Sequence, residues 1–132
     1  METRMQVPEQ LRYAPTHEWA RKDGDLITVG ITKYAVDLLT DLVYLDLPSV
    51  GESTAAGSSF GEVESVKAVS DLYAPVAGEV VEVNQDVVND PTKVAQEPYG
   101  SGWLIKIRPV AGASLDHLLN AEAYQKQIAA GH

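Results

Sequence analysis

A lysine amine held at the tip of a tight hairpin is a nucleophile that a modifying enzyme can reach, and this chain presents one. Gly61-Glu62-Val63-Glu64-Ser65-Val66-Lys67-Ala68-Val69-Ser70-Asp71, followed by Tyr73-Ala74-Pro75-Val76-Ala77-Gly78-Glu79-Val80, reads as two short strands meeting at a turn with Lys67 near its tip. The flanking Val66 and Ala68 are small and apolar, so nothing beside the lysine competes for a docking enzyme. Ser65 and Ser70 bracket the turn, and Pro75 and Gly78 are expected to fix the course of the return strand. From these residues alone two readings stand. Lys67 is either a solvated surface lysine or the rigid base of a swinging arm, whose flexible four-carbon stem it supplies. The chain contains 0 cysteines, so any sulfur or redox chemistry it hosts comes from an attached group.

Other residues offer less. Glu18 and Asp71 read first as ordinary exposed carboxylates and second as charge partners for a cationic ligand, and Glu64 either orients a modifying enzyme or solvates a strand face. His17-Glu18 begins a His-Glu-x-x-His pattern, but Arg21 stands where the second histidine belongs, which argues against zinc. Gly100-Ser101-Gly102 lacks the strand-turn-helix setting of a phosphate loop. Trp103 and Trp19 read as core and rim packing, and no Ser/His/Asp set for nucleophilic catalysis emerges.

The elements that must hold the lysine are short. Trp19–Lys22 and Leu26–Ile31 flank Asp23-Gly24-Asp25 and predict a hairpin, with Ile27, Val29 and Ile31 on one face. Leu11–Ala14 is a short extended piece halted by Pro15. The period then changes: Ile31, Tyr34, Ala35 and Leu38 predict a helix over Lys33–Leu39 capped by Thr32. Val43, Leu45 and Leu47 alternate as the apolar face of a strand ended by Pro48, and Gly78–Asn84 predicts another strand. Asp90-Pro91 starts a turn or brief helix, and Trp103–Arg108 alternates as a strand. Ser114 and Asn120 predict the caps of a closing pair of helices. Many short strands between Gly/Pro turns indicate a mainly β sandwich or barrel.

Composition sets outer limits. With 132 residues the chain fits one domain, expected over 11–130 behind a flexible segment 1–10. Ten Lys+Arg against 19 Asp+Glu give a net charge of −9, which excludes a nucleic-acid surface and suits docking onto basic patches. No apolar run approaches a membrane span, and the first residues resemble neither a signal nor a transit segment, so a cytoplasmic protein is expected.

Glu64-Ser65-Val66-Lys67-Ala68, with Gly61 before it and Pro75, Gly78 and Asn84 after it, resembles the lipoyl-lysine signature of the glycine cleavage system H-protein family. The resemblance extends over roughly residues 7–128 through Leu11-Arg12-Tyr13, Thr16-His17-Glu18-Trp19, Thr28–Thr32, Leu45-Asp46-Leu47-Pro48, Asp90–Val94, Pro98-Tyr99-Gly100, Gly102–Ile107 and Leu118–Tyr124. It implies a barrel-sandwich hybrid with short flanking helices and a C-terminal helical segment. It implies lipoate in amide linkage to Lys67, with Glu64, Ser65, Val66 and Ala68 as the attachment motif. It implies a monomeric, non-catalytic carrier. Such a carrier takes an aminomethyl group from glycine decarboxylase (P protein) and yields it to the aminomethyltransferase (T protein). Dihydrolipoamide dehydrogenase (L protein) then reoxidises the arm. A lipoate ligase or lipoyl/octanoyl transferase would install the group. The positions matching the family's contact with the loaded arm are Thr16, Glu18 and Asp71. The same lysine would serve a lipoate donor or store that passes lipoyl groups to 2-oxoacid dehydrogenases. A lipoyl domain of those dehydrogenases, or a biotin carrier, fits less well, because Val66 and Ala68 replace the acidic residue or the methionines expected beside the lysine.

Overall fold

The computed structural model describes residues 7–131. Nine strands and four helices follow one another: β1 (Arg12–Tyr13), β2 (Glu18–Asp23), β3 (Leu26–Ile31), α1 (Lys33–Leu39), β4 (Leu42–Asp46), β5 (Ser53–Thr54), β6 (Ser59–Ser65), β7 (Val69–Tyr73), β8 (Gly78–Val83), α2 (Gln85–Asn89), α3 (Thr92–Gln96), β9 (Ile105–Pro109) and α4 (Ala121–Ala129). Two antiparallel sheets result, one in the order β1-β2-β3-β9-β8-β5 and one in the order β4-β6-β7. The predicted mainly β architecture is what forms.

The core lies between the sheets. Ile27, Val29, Ile31, Val80, Ile105 and Ile107 of the larger sheet meet Leu42, Leu45, Val63 and Leu72 of the smaller one. β-branched side chains dominate the larger sheet's inner face because they pack well on a pleated surface. A second cluster of Val7, Leu11, Tyr13, Trp19, Ala121 and Tyr124 packs α4 against the opposite side of β1 and β2. Tyr13 and Tyr124 stack there with ring centroids 4.6 Å apart, and the Trp19 indole donates to the Pro98 carbonyl at 2.9 Å. Within the segment expected to be flexible, residues 1–6 lie outside the described residues. Val7 is buried, and the Pro8 carbonyl accepts the Tyr13 hydroxyl at 2.6 Å.

Several expected details change. On β4 the buried residues are Leu42 and Leu45, while Val43 is 51% exposed, because a register shift between Leu42 and Tyr44 breaks the simple alternation. The return strand of the lysine hairpin is β7, which ends at Tyr73, so Pro75 and Gly78 instead steer the chain across to the other sheet. Gly78 is packed so closely that an added Cβ would lie 2.3 Å from the Arg108 carbonyl oxygen. Asn84 caps α2, a helix absent from the sequence expectation, through a 3.2 Å bond from the Asp86 amide. Ser114 caps no helix: its hydroxyl accepts the Asp116 amide in a turn, and the expected closing pair of helices is α4 alone among the described residues. Asn120 does cap α4, by accepting the Ala123 amide at 2.8 Å.

Gly61 sets the closeness of β4 to β6. A Cβ there would stand 2.1 Å from the Asp46 carbonyl oxygen, a backbone atom that cannot turn aside. Gly61→Ala should force the strands of the small sheet apart. The expected cost is about 1–3 kcal/mol, seen as a thermal unfolding midpoint lower by roughly 5 °C; an unchanged midpoint would show that β4 yields freely.

Candidate functional site: the lysine turn and the buried Glu18 carboxyl

The lysine turn is built by one side chain. Ser65 ends β6 and is 5% exposed. Its amide donates to the Ala68 carbonyl at 2.8 Å, closing the turn. Its Oγ accepts the amides of Lys67 at 3.3 Å and Ala68 at 3.1 Å, satisfying turn donors that the ladder cannot pair. The Val66 amide donates to the Asp41 carbonyl at 3.0 Å, fastening the turn to the segment after α1. On this framed base Lys67 is exposed, and among the described residues no ion pair or hydrogen bond engages its ammonium. Val66 and Ala68 are exposed beside it, Val66 at 73%. Glu64 is half-buried on the outer face of the small sheet, between its register partners Tyr44 and Val69. An amine so presented fits an acyl group delivered from outside, since neither burial nor a competing carboxylate holds it back.

The second constellation lies where the two sheets meet. Ala14 and Glu18 close a tight loop: the Ala14 amide donates to the Glu18 carbonyl at 2.8 Å, and the His17 amide to the Ala14 carbonyl at 2.9 Å. Glu18, on β2 of the large sheet, is 2% exposed, which overturns its reading as an exposed carboxylate. Its Oε1 accepts the Thr16 hydroxyl, and its Oε2 accepts the Tyr73 amide of β7 at 3.0 Å. β7 is the edge strand of the small sheet, so this carboxylate takes up an edge amide that no strand covers. Burial pushes the Glu18 carboxyl up to about 7, against the opposing pull of the Thr16 and Tyr73 hydrogen bonds.

Thr16 and Glu18 are therefore brought together, whereas Asp71 is not in contact with them. Asp71 is exposed, opposite Glu62 in the register of β6 and β7. Its link to the pair runs through Tyr73, whose hydroxyl donates to Asp71 Oδ2 at a long 3.4 Å while its amide serves Glu18. Asp71 stands four residues after Lys67, roughly 13 Å along extended chain. A lysine stem lengthened by an acyl chain can lie back along β7 toward this group. Sequence reading missed Tyr73, because its contribution to Glu18 is a backbone amide and leaves no trace in residue type. Among the described residues there is no cluster of three or more His, Asp or Glu that could hold a metal ion, and no helix is long and apolar enough to cross a membrane.

The titration of Glu18 carries a sign. The native carboxyl holds its proton up to about pH 7, whereas the ordinary value is 4.5, so the native state binds more protons than the unfolded chain between the two. Stability must fall as pH rises through this window. The cost is absent below about pH 4.5 and complete above about pH 7, where it reaches on the order of 3 kcal/mol. Urea denaturation from pH 4.5 to 8 should show wild type losing ground steadily to Glu18→Gln, whose amide does not ionise; parallel stability curves would contradict a buried, proton-holding carboxyl. Separately, Ser65→Ala should cost about 1 kcal/mol and loosen the turn, read as faster hydrogen exchange at the Lys67 and Ala68 amides.

A family model described as "Glycine cleavage H-protein" matches residues 11–131. The glycine cleavage system H protein of Synechococcus sp. (strain CC9605) is 52% identical over 124 residues, spanning 94% of this chain and 96% of the relative. That of Carboxydothermus hydrogenoformans is 52% identical over 122 residues, spanning 92% and 94%. A crystal structure of a glycine cleavage system H protein from Mycobacterium marinum superposes with a TM-score of 0.86 at 46% identity, covering 93% of this chain and 99% of that one, and the barrel-sandwich hybrid expectation holds with it. With the lysine hairpin, both sheets and the Glu18 loop all inside the matched span, the chain belongs to the glycine cleavage H-protein family.

Proposed function

We propose that this protein is the lipoyl carrier of the glycine cleavage system, with lipoate in amide linkage to Lys67, and that it conveys an aminomethyl group from glycine decarboxylase to the aminomethyltransferase. The observation that carries the reading is the free, exposed Lys67 amine on a turn framed by Ser65, in a chain of this family. When bound, lipoate supplies the sulfur that this cysteine-free chain lacks and that accepts the aminomethyl group. Lys67 gives up its positive charge to the amide and contributes a flexible stem. The turn supplies a base that does not collapse onto the barrel. Dihydrolipoamide dehydrogenase and a lipoate ligase or lipoyl/octanoyl transferase complete the set of partners.

Glu18 and Thr16 supply the resting place. The carried amine is cationic and prone to hydrolysis, so a cleft that neutralises it and limits water prolongs its life. A carboxylate beside an ammonium in such a setting is worth about 1.5–3 kcal/mol. That suffices to bias the arm toward the cleft and still lets it leave. Thr16 holds one carboxylate oxygen, the Tyr73 amide holds the other, and Asp71 lies on the approach along β7. The carrier gains its efficiency from tethering, which turns encounters among several enzymes into events at raised local concentration.

Intact-mass spectrometry of protein made alongside an active lipoylation system should show a population heavier by one lipoyl amide, absent in Lys67→Ala and in Lys67→Arg. An unshifted mass in wild type under those conditions sinks the assignment. Glu18→Gln should leave the added mass in place and shorten the lifetime of the carried amine several-fold; an equal lifetime removes Glu18 from the resting place.

A further inference from the structure

His17 lies between the hydrogen-bonded Thr16 and Glu18, and its own side chain turns elsewhere. Its backbone has φ of 81°, a left-handed conformation that side chains other than glycine seldom adopt. This conformation sits inside the five-residue loop closed by Ala14 and Glu18. What holds it comes from three directions. The Thr32 amide donates to the His17 carbonyl at 3.0 Å. The imidazole Nδ1 is 2.7 Å from the Tyr124 hydroxyl of α4. The ring also lies against Tyr34 of α1, with centroids 4.9 Å apart. Tyr124 is itself fully buried, stacked on Tyr13 and joined by its hydroxyl to Thr32 Oγ1 at 2.7 Å. Consecutive residues thus reach to different parts of the fold: Glu18 to β7, His17 to the C-terminal helix.

We infer that His17 is the positioning residue of the Thr16/Glu18 pair: anchored to Tyr124, it holds a left-handed turn that keeps the Glu18 carboxyl seated under β7. His17 does not touch the carried group. It makes α4, far along the chain, part of the support of the Thr16/Glu18 pair. The role of the seated carboxyl toward a cationic cargo rests on the function proposed above; its seating does not.

The test separates the two. In the unmodified protein, ¹³C NMR of the Glu18 side-chain carboxyl follows its titration directly, with a wild-type midpoint near the value of about 7 that burial imposes. Tyr124→Phe removes the hydroxyl and keeps the ring. His17→Gly keeps the left-handed backbone at no steric cost and removes the anchor. Both should move the Glu18 midpoint down toward the ordinary carboxylate range and weaken protection of the Tyr73 amide against exchange. His17→Asn tolerates the same backbone and places a polar atom near Nδ1, so it should restore both readouts toward wild type. Should Tyr124→Phe fail to fold, His17→Gly against His17→Asn decides alone. An unmoved Glu18 midpoint in the folded His17→Gly protein overturns the inference. A lowered midpoint with an unaltered lifetime of the carried amine upholds the positioning role and instead sinks the resting-place reading of Glu18.

Discussion

One buried carboxylate joins the two halves of this structure. Glu18 belongs to the large sheet, yet its Oε2 receives an amide from the edge strand of the small one. In its ionised form the group is an acceptor only, so it matches an unpaired edge amide on one oxygen and the Thr16 hydroxyl on the other. Removing it would leave the part-buried Tyr73 amide without its acceptor, and an unsatisfied donor costs about 1–3 kcal/mol. Keeping it means burying a group that resists ionisation. The fold accepts that opposition at the place where β7, the strand that follows the lysine turn, must be aligned with the rest of the barrel.

Alignment of the lysine follows from the same economy of contacts. β7 is held at its far end by Glu18 and at its near end by the Ser65-centred turn. Between them it pairs with β6 from Val69 to Tyr73. Gly61 lets β6 lie against β4 without a side chain in the way, and Asp41 holds the turn from beneath through the Val66 amide. A flexible stem on a fixed base samples a defined volume of space, and each of these contacts narrows where that base can be.

The parts of this arrangement that depend on residue type were legible in the chain, and the parts that depend on backbone were not. Lys67 between Val66 and Ala68 and the Thr32 cap of α1 are local chemistry and form as read, and the hairpin forms with Asp23 drawn into β2 and a two-residue Gly24-Asp25 turn. Of the Val43-Leu45-Leu47 face only Val43 departs, because a register shift in β4 is invisible to a period of two. α2 was hidden because Val83, Val87 and Val88 carry strand propensity, while Asn84 acts as a cap and ends the strand. Ser114 looked like a cap because a turn and a helix start use the same hydroxyl-to-amide bond. Thr16 and Glu18 could be named from the resemblance, but the burial of Glu18, the Tyr73 amide and the left-handed His17 are products of tertiary packing.

A carboxyl that is half protonated near neutrality has a consequence for whatever cation settles beside it. An arriving ammonium favours the ionised form, so its entry displaces the proton already there. One monovalent positive charge replaces another, and the electrostatic balance beneath β7 is conserved through the swap. The surrounding dipoles would then need little rearrangement, and a cation settling there at neutral pH would release, on average, a fraction of a hydrogen ion.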